Sequence, residues 1–78
     1  MSVTISALKE LMVATGLDAA LVSQLDPDRP LIQQGVDSVD YPAFILAFED
    51  TCGVAVSDAD SLRLKTLNDF MNFVAARK

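Results

Sequence analysis

The chain reads as an all-α protein, an antiparallel four-helix bundle with a long first loop and a short third helix, and three observations lead there. Apolar residues recur at helical spacing in three stretches: Ile5, Leu8, Leu11 and Met12; Tyr41, Phe44, Ile45, Phe48 and Cys52; and Leu67, Phe70, Met71, Phe73 and Val74. Between the first two lies a region of helix breakers, Asp26-Pro27 and Arg29-Pro30. The whole chain, 1–78, has room for one small domain, and its 51% of hydrophobic residues is too many for a disordered segment.

The first helix takes its N-cap from Thr4 or Ser2, buries the Ile5-Leu8-Leu11-Met12 stripe, leaves Lys9 and Glu10 on the wet side and stops near Gly16. From Leu17 to Gln34 the pattern is mixed. Asp18 to Leu25 has the makings of two helical turns before the proline pairs break it, and Leu21, Val22, Leu25, Leu31 and Ile32 pin this connection to the bundle. A connection this long in a small domain is more often functional or partly ordered than idle.

The second helix runs from about Ser38 to Thr51, with Tyr41, Phe44, Ile45, Phe48 and Cys52 on its core side. Pro42 conflicts with that start, because it lacks the N–H that would bond the Ser38 carbonyl and its ring crowds the same oxygen. The expectation is a distorted first turn, with regular helix only from about Pro42. Gly53 closes the helix, Val54-Ala55-Val56 forms an extended link, and Ser57 or Asp58 caps a brief third helix through Leu62. In the last element Thr66 caps, Asp69 follows at capping-box spacing, and Arg77 and Lys78 suit the negative end of the helix dipole.

Composition excludes several functions. The net charge of -5, from eleven acids and six bases, argues against nucleic acid and towards basic protein partners. Leu31 to Leu62 contains no Lys or Arg but holds Asp37, Asp40, Glu49, Asp50, Asp58 and Asp60. A solvated face and a docking face both explain that field; the position of Ser38 inside it points to docking. With no histidine and one cysteine, zinc sites and the usual nucleophilic triads have no ligands or base, so neither a metal nor an enzyme is expected. Cys52 reads as a small core hydrophobe. The longest apolar run, Tyr41 to Phe48, falls well short of the roughly 20 residues of a membrane span, and the first residues carry no secretory pattern. A monomer in a reducing cytoplasm is expected.

The stretch that carries function is Gly35-Val36-Asp37-Ser38-Val39-Asp40. Gly35 lets the backbone turn, Asp37 is a strong capping type, and Asp40 stands where the acid of a capping box would be. Ser38 therefore sits among acids at a helix start. With no base to deprotonate it, it is a poor nucleophile by itself and a good target for another enzyme.

Gly35-Val36-Asp37-Ser38-Val39 resembles the Gly-x-Asp-Ser-Leu/Ile/Val signature of the acyl carrier proteins and related thiolation domains. Length, acidity, the helix before a long loop, and Asp26-Pro27-Asp28-Arg29-Pro30-Leu31 ahead of the glycine are similar to the family as well. The resemblance implies that Ser38 is the attachment point of 4'-phosphopantetheine from coenzyme A, with Gly35, Asp37 and Val39 as its neighbours, and that the arm holds acyl groups as thioesters. It implies a phosphopantetheinyl transferase as partner, with acyl-loading and synthase enzymes that bear basic docking surfaces. Recognition would fall to Asp40, Pro42, Leu46, Glu49, Asp50, Asp58 and Asp60. The apolar strip Val39, Pro42, Ala43 and Leu46 either faces such partners or is covered by the bundle. Phe44, Ile45, Phe48 and Phe70 either fill the interior or open to take an acyl chain.

Two departures stand out. The family usually has a leucine before the signature glycine, where this chain has Gln34. Its fatty-acid members carry more acids in the first half of the helix, where Pro42, Ala43, Phe44 and Ile45 stand here. The second departure implies a specialised carrier of lipid or polyketide synthesis. Two rivals share parts of the pattern: a peptidyl or aryl carrier of peptide synthesis, and an unmodified helical interaction module.

Overall fold

The computed structural model describes residues 4–77 and holds five α-helices: α1 (Ile5–Ala14), α2 (Ala19–Ser23), α3 (Tyr41–Cys52), α4 (Asp58–Ser61) and α5 (Leu67–Ala76). No strand occurs among the described residues. Helix α1 packs against α2, α3 and α5, so the first helix of the chain lies at the centre of the bundle. The all-helical bundle is as expected, and α2 adds a fifth, one-turn helix within the long connection. The expectations for Ser2 as a cap and for Lys78 at the last helix end lie outside the described residues.

Short polar side chains set four of the helix starts. Thr4 Oγ1 accepts the Ala7 N–H at 3.1 Å, and Asp18 Oδ2 accepts that of Leu21 at 3.2 Å. Ser57 with Asp60, and Thr66 with Asp69, form full capping boxes. Each satisfies backbone donors that the helix itself leaves unpaired. At the end of α3, Gly53 adopts φ 68°, and the N–H groups of Gly53 and Val54 both return to the Glu49 carbonyl. The left-handed turn costs glycine little and would strain other residues.

The core is aromatic at its heart. Phe44, Phe48 and Phe70 are buried, and the Phe70 ring meets the other two edge-on with centroids 5.0 Å apart in both pairs. Leu8 and Met12 from α1, Leu31 from the loop and Leu67 from α5 close around them. The rings meet as a packed core does, with each quadrupole edge against a face. Phe73 and Met71, expected inside, are only partly buried, and the Arg77 guanidinium covers the Phe73 ring 4.4 Å from its centroid.

One core expectation is overturned. Ile32 does not pin the loop; it is 57% exposed, while Val36 is buried. The cause is the 3-10 turn Ile32–Gln34, which ends in Gly35 at φ 101°. Reversal at that glycine swings the next side chain inward, so Val36 takes the place in the core that Ile32 was expected to fill. Leu17 and Leu64 also join the core.

Candidate functional site, an exposed serine at the head of a helix

Ser38 stands where the long loop meets α3, and it is held from both sides. On the loop side, the Gly35 backbone turns and Val36 is anchored in the core. Gly35 sits at φ 101°, which favours glycine, while a Cβ there would meet only ordinary contact, 3.4 Å from Leu21 Cδ1.

On the helix side, Ser38–Asp40 form a 3-10 turn ahead of α3. The distortion expected from Pro42 is present. Proline has no N–H to give, and the Ser38 carbonyl instead accepts the Tyr41 N–H one residue earlier, in the tighter 3-10 pattern. Regular helix starts at Tyr41, with Pro42 in its first turn. Asp37 caps this turn as expected: its Oδ1 accepts the Val39 N–H at 3.2 Å. Among the described residues Asp40 makes no return bond to complete a capping box.

Asp37, Ser38, Val39 and Asp40 are all exposed. Val39 is 75% exposed and Leu46 61%, with Pro42, Ala43 and Asp50 also on the surface, so the outer face of α3 is an apolar strip open to solvent.

The other candidate acids divide into two groups. Glu49 is half-buried and its Oε2 accepts the Val56 N–H at 2.7 Å, which ties the link after α3 back onto the helix. Asp60 caps α4 and meets Arg77 at 3.2 Å, and its bonds from Ser57 and the nearby arginines hold its carboxyl below the usual range. These two acids have internal work. Asp40, Asp50 and Asp58 are exposed, with no hydrogen bond on their carboxylates among the described residues.

In the aromatic cluster Phe44, Phe48 and Phe70 are buried against one another and Ile45 is partly exposed. A groove of about 420 Å³ runs between the loop, the start of α3 and the segment after α4, lined by Pro30, Ile32, Tyr41, Leu62 and Leu64, with Gln33, Ser61 and Lys65 as its polar members. It begins at Tyr41, whose N–H bonds the Ser38 carbonyl. Leu62, 75% exposed, and Ile32 give it an unfilled apolar rim. The Tyr41 hydroxyl lies 3.5 Å from the Lys65 carbonyl, and its pKa is pushed up to about 12, first by burial and then by the charge of Asp69.

Sequence reasoning missed this groove because its walls come from three separated segments. The sequence pattern places Ile32 in the core and Tyr41 on the inner face of α3. No local pattern marks it: of the leucines around the short α4, Leu64 and Leu67 are buried and Leu62 is exposed.

Comparison with known proteins completes the picture. The profile of the family described as "Phosphopantetheine attachment site" matches residues 6–74, nearly the whole chain. The chain belongs to the acyl carrier protein family. An acyl carrier protein of Solidesulfovibrio magneticus is 33% identical over 73 residues, covering 91% of this chain and 90% of that protein. The cofactor is covalently attached 4'-phosphopantetheine, and the protein is a carrier on which modifying and synthase enzymes act, without catalysis of its own. Among the described residues no helix is long and apolar enough to cross a membrane.

Proposed function

We propose that Ser38 is the residue that takes the arm, in a discrete carrier serving fatty-acid, polyketide or related specialised lipid synthesis. What supports the reading is one observation: an exposed hydroxyl on a 3-10 turn whose backbone is fixed on both sides, with no side chain bonded to it among the described residues. In the loading step the Ser38 oxygen bonds to the phosphorus of the pantetheine phosphate. The pyrophosphate link of coenzyme A breaks, the adenosine bisphosphate half leaves, and the serine proton passes to a base of the transferase. The arm supplies a thiol that carries acyl groups as thioesters.

The remaining work falls to this chain's own residues. Asp37 holds the 3-10 turn so that the serine stays presented. Val39 and Leu46 give partners an apolar grip, and Asp40, Asp50 and Asp58 steer basic surfaces towards it; such exposed charges act on encounter and selection more than on affinity. The groove at Tyr41, Ile32 and Leu62 shields the apolar part of the cargo; its walls are apolar and Tyr41 directly follows the turn that carries Ser38.

The test is incubation with coenzyme A and a broad-specificity phosphopantetheinyl transferase, read by intact mass. The wild-type chain gains one phosphopantetheine and Ser38→Ala gains none. A gain that survives Ser38→Ala, or no gain by the wild type, overturns the assignment. Loading and elongation by standard fatty-acid enzymes at housekeeping rates would remove the support for a specialised pathway.

A further inference from the structure

We infer that Gln34 is a positioning residue for the loading of Ser38: its side-chain amide holds the long loop in the conformation that a transferase reads. The inference rests on the proposal that Ser38 is the attachment point. One primary amide makes three hydrogen bonds to the bend of the loop. Gln34 Oε1 accepts the Asp26 N–H at 2.7 Å, and Gln34 Nε2 donates to the Asp26 carbonyl and to the Arg29 carbonyl, both at 3.0 Å. The side chain thus pairs with both backbone groups of Asp26, as a neighbouring strand would, and takes a third bond across the turn Asp26–Arg29.

Gln24, Asp26, Asp28 and Arg29 are exposed, and the bonds inside the bend are local: Asp26 Oδ1 accepts the Asp28 N–H at 2.9 Å and the Asp26 carbonyl accepts the Arg29 N–H at 3.2 Å, with Leu25 and Leu31 buried on either side. On its far side it is tied to the start of α5, where the Asn68 N–H donates to the Pro27 carbonyl at 3.1 Å and the Asn68 side chain bonds Asp28. On the near side Gln34 is the side chain that bridges the bend to the signature.

Its place in the chain gives those bonds their consequence. Gln34 is followed directly by the Gly35 turn, the buried Val36 and the Asp37 cap, so its amide joins the bend at Asp26–Arg29 to the segment that presents Ser38. A leucine at this position has no polar atoms with which to hold the bend.

The experiment measures transferase kinetics on the full chain with coenzyme A, for wild type, Gln34→Leu and Gln34→Glu, alongside hydrogen exchange of the unloaded proteins. Gln34→Leu is expected to raise the KM for the carrier by about three- to tenfold with kcat little changed, the signature of a smaller docking-competent population. Exchange at residues 26–34 is expected to quicken while α3 and α5 keep their protection. Gln34→Glu, which keeps the size but turns two donated bonds into repulsions between oxygens, is expected to be at least as poor. A residue that contributed only stability would lower the unfolding temperature and leave KM unchanged below it. Wild-type KM in both variants overturns the inference while leaving Ser38 as the loading site. A wild-type chain that takes no arm overturns the Ser38 reading and this inference together.

Discussion

Helix α3 carries two apolar faces of similar composition, and they have opposite fates. Phe44 and Phe48 face inward and are essentially without solvent contact, locked against Phe70. Leu46, with Val39 on the turn just ahead of the helix, faces outward, and both are mostly exposed. Hydrophobicity alone does not separate them. The neighbours do: α1 and α5 cover the first face, and no element among the described residues covers the second. One face stabilises the fold and the other remains available to a partner.

The sharpest way to break that comparison is to truncate the inner face. Phe48→Ala removes a fully buried ring from an aromatic cluster and should cost about 3–5 kcal/mol in urea or thermal unfolding. A loss under about 1 kcal/mol would mean that the interior yields far more readily than the ring contacts imply.

The acids divide in the same way, and Glu49 tests it next. Glu49→Ala leaves the part-buried Val56 N–H without its acceptor and should cost about 1–2 kcal/mol, whereas Asp50→Ala on the neighbouring surface should change stability by no more than about 0.5 kcal/mol. Equal losses from the two would contradict the assignment of the Glu49 carboxylate to the fold.

Tyr41 stands between the core and the groove, and its titration reports how closed that boundary is. Its folded pKa is raised from 10.0 to about 12, so at pH between these values the unfolded chain has lost a proton that the folded chain keeps. The stability it contributes is therefore fully present below pH 10 and declines as pH rises through that window. Thermal unfolding should fall more steeply above pH 10 in wild type than in Tyr41→Phe. Identical slopes would place the hydroxyl in open solvent.

The smallest expected effect on stability is the most telling for function. Leu46→Ala should shift unfolding by about 0.5 kcal/mol or less and yet slow the acyl-loading or synthase partners. A core-sized loss of stability would mean that the outer face is covered in solution.

Much of this was legible in the amino-acid order. The three apolar stripes gave the long helices, and caps such as Thr4, Ser57 and Thr66 are local chemistry that a few residues suffice to specify. Pro42 announced its own distortion, since a missing N–H is a covalent fact. Less legible were Ile32 and Val36, whose exchange of roles depends on how far a 3-10 turn rotates the chain before Gly35. Gln34 showed in the sequence only as a departure from the family pattern, because its three partners lie across a bend whose path the sequence does not specify.

The sequence by itself determined the helices, their caps, the acidic field and the exposed alcohol at a helix start, because each depends on periodicity or on bonds between near neighbours. Only the tertiary structure decided which apolar face of α3 is covered, which acids are committed to the fold and where a groove opens beside Tyr41. Those outcomes depend on side chains brought together from distant parts of the chain, and such contacts leave no local pattern to read.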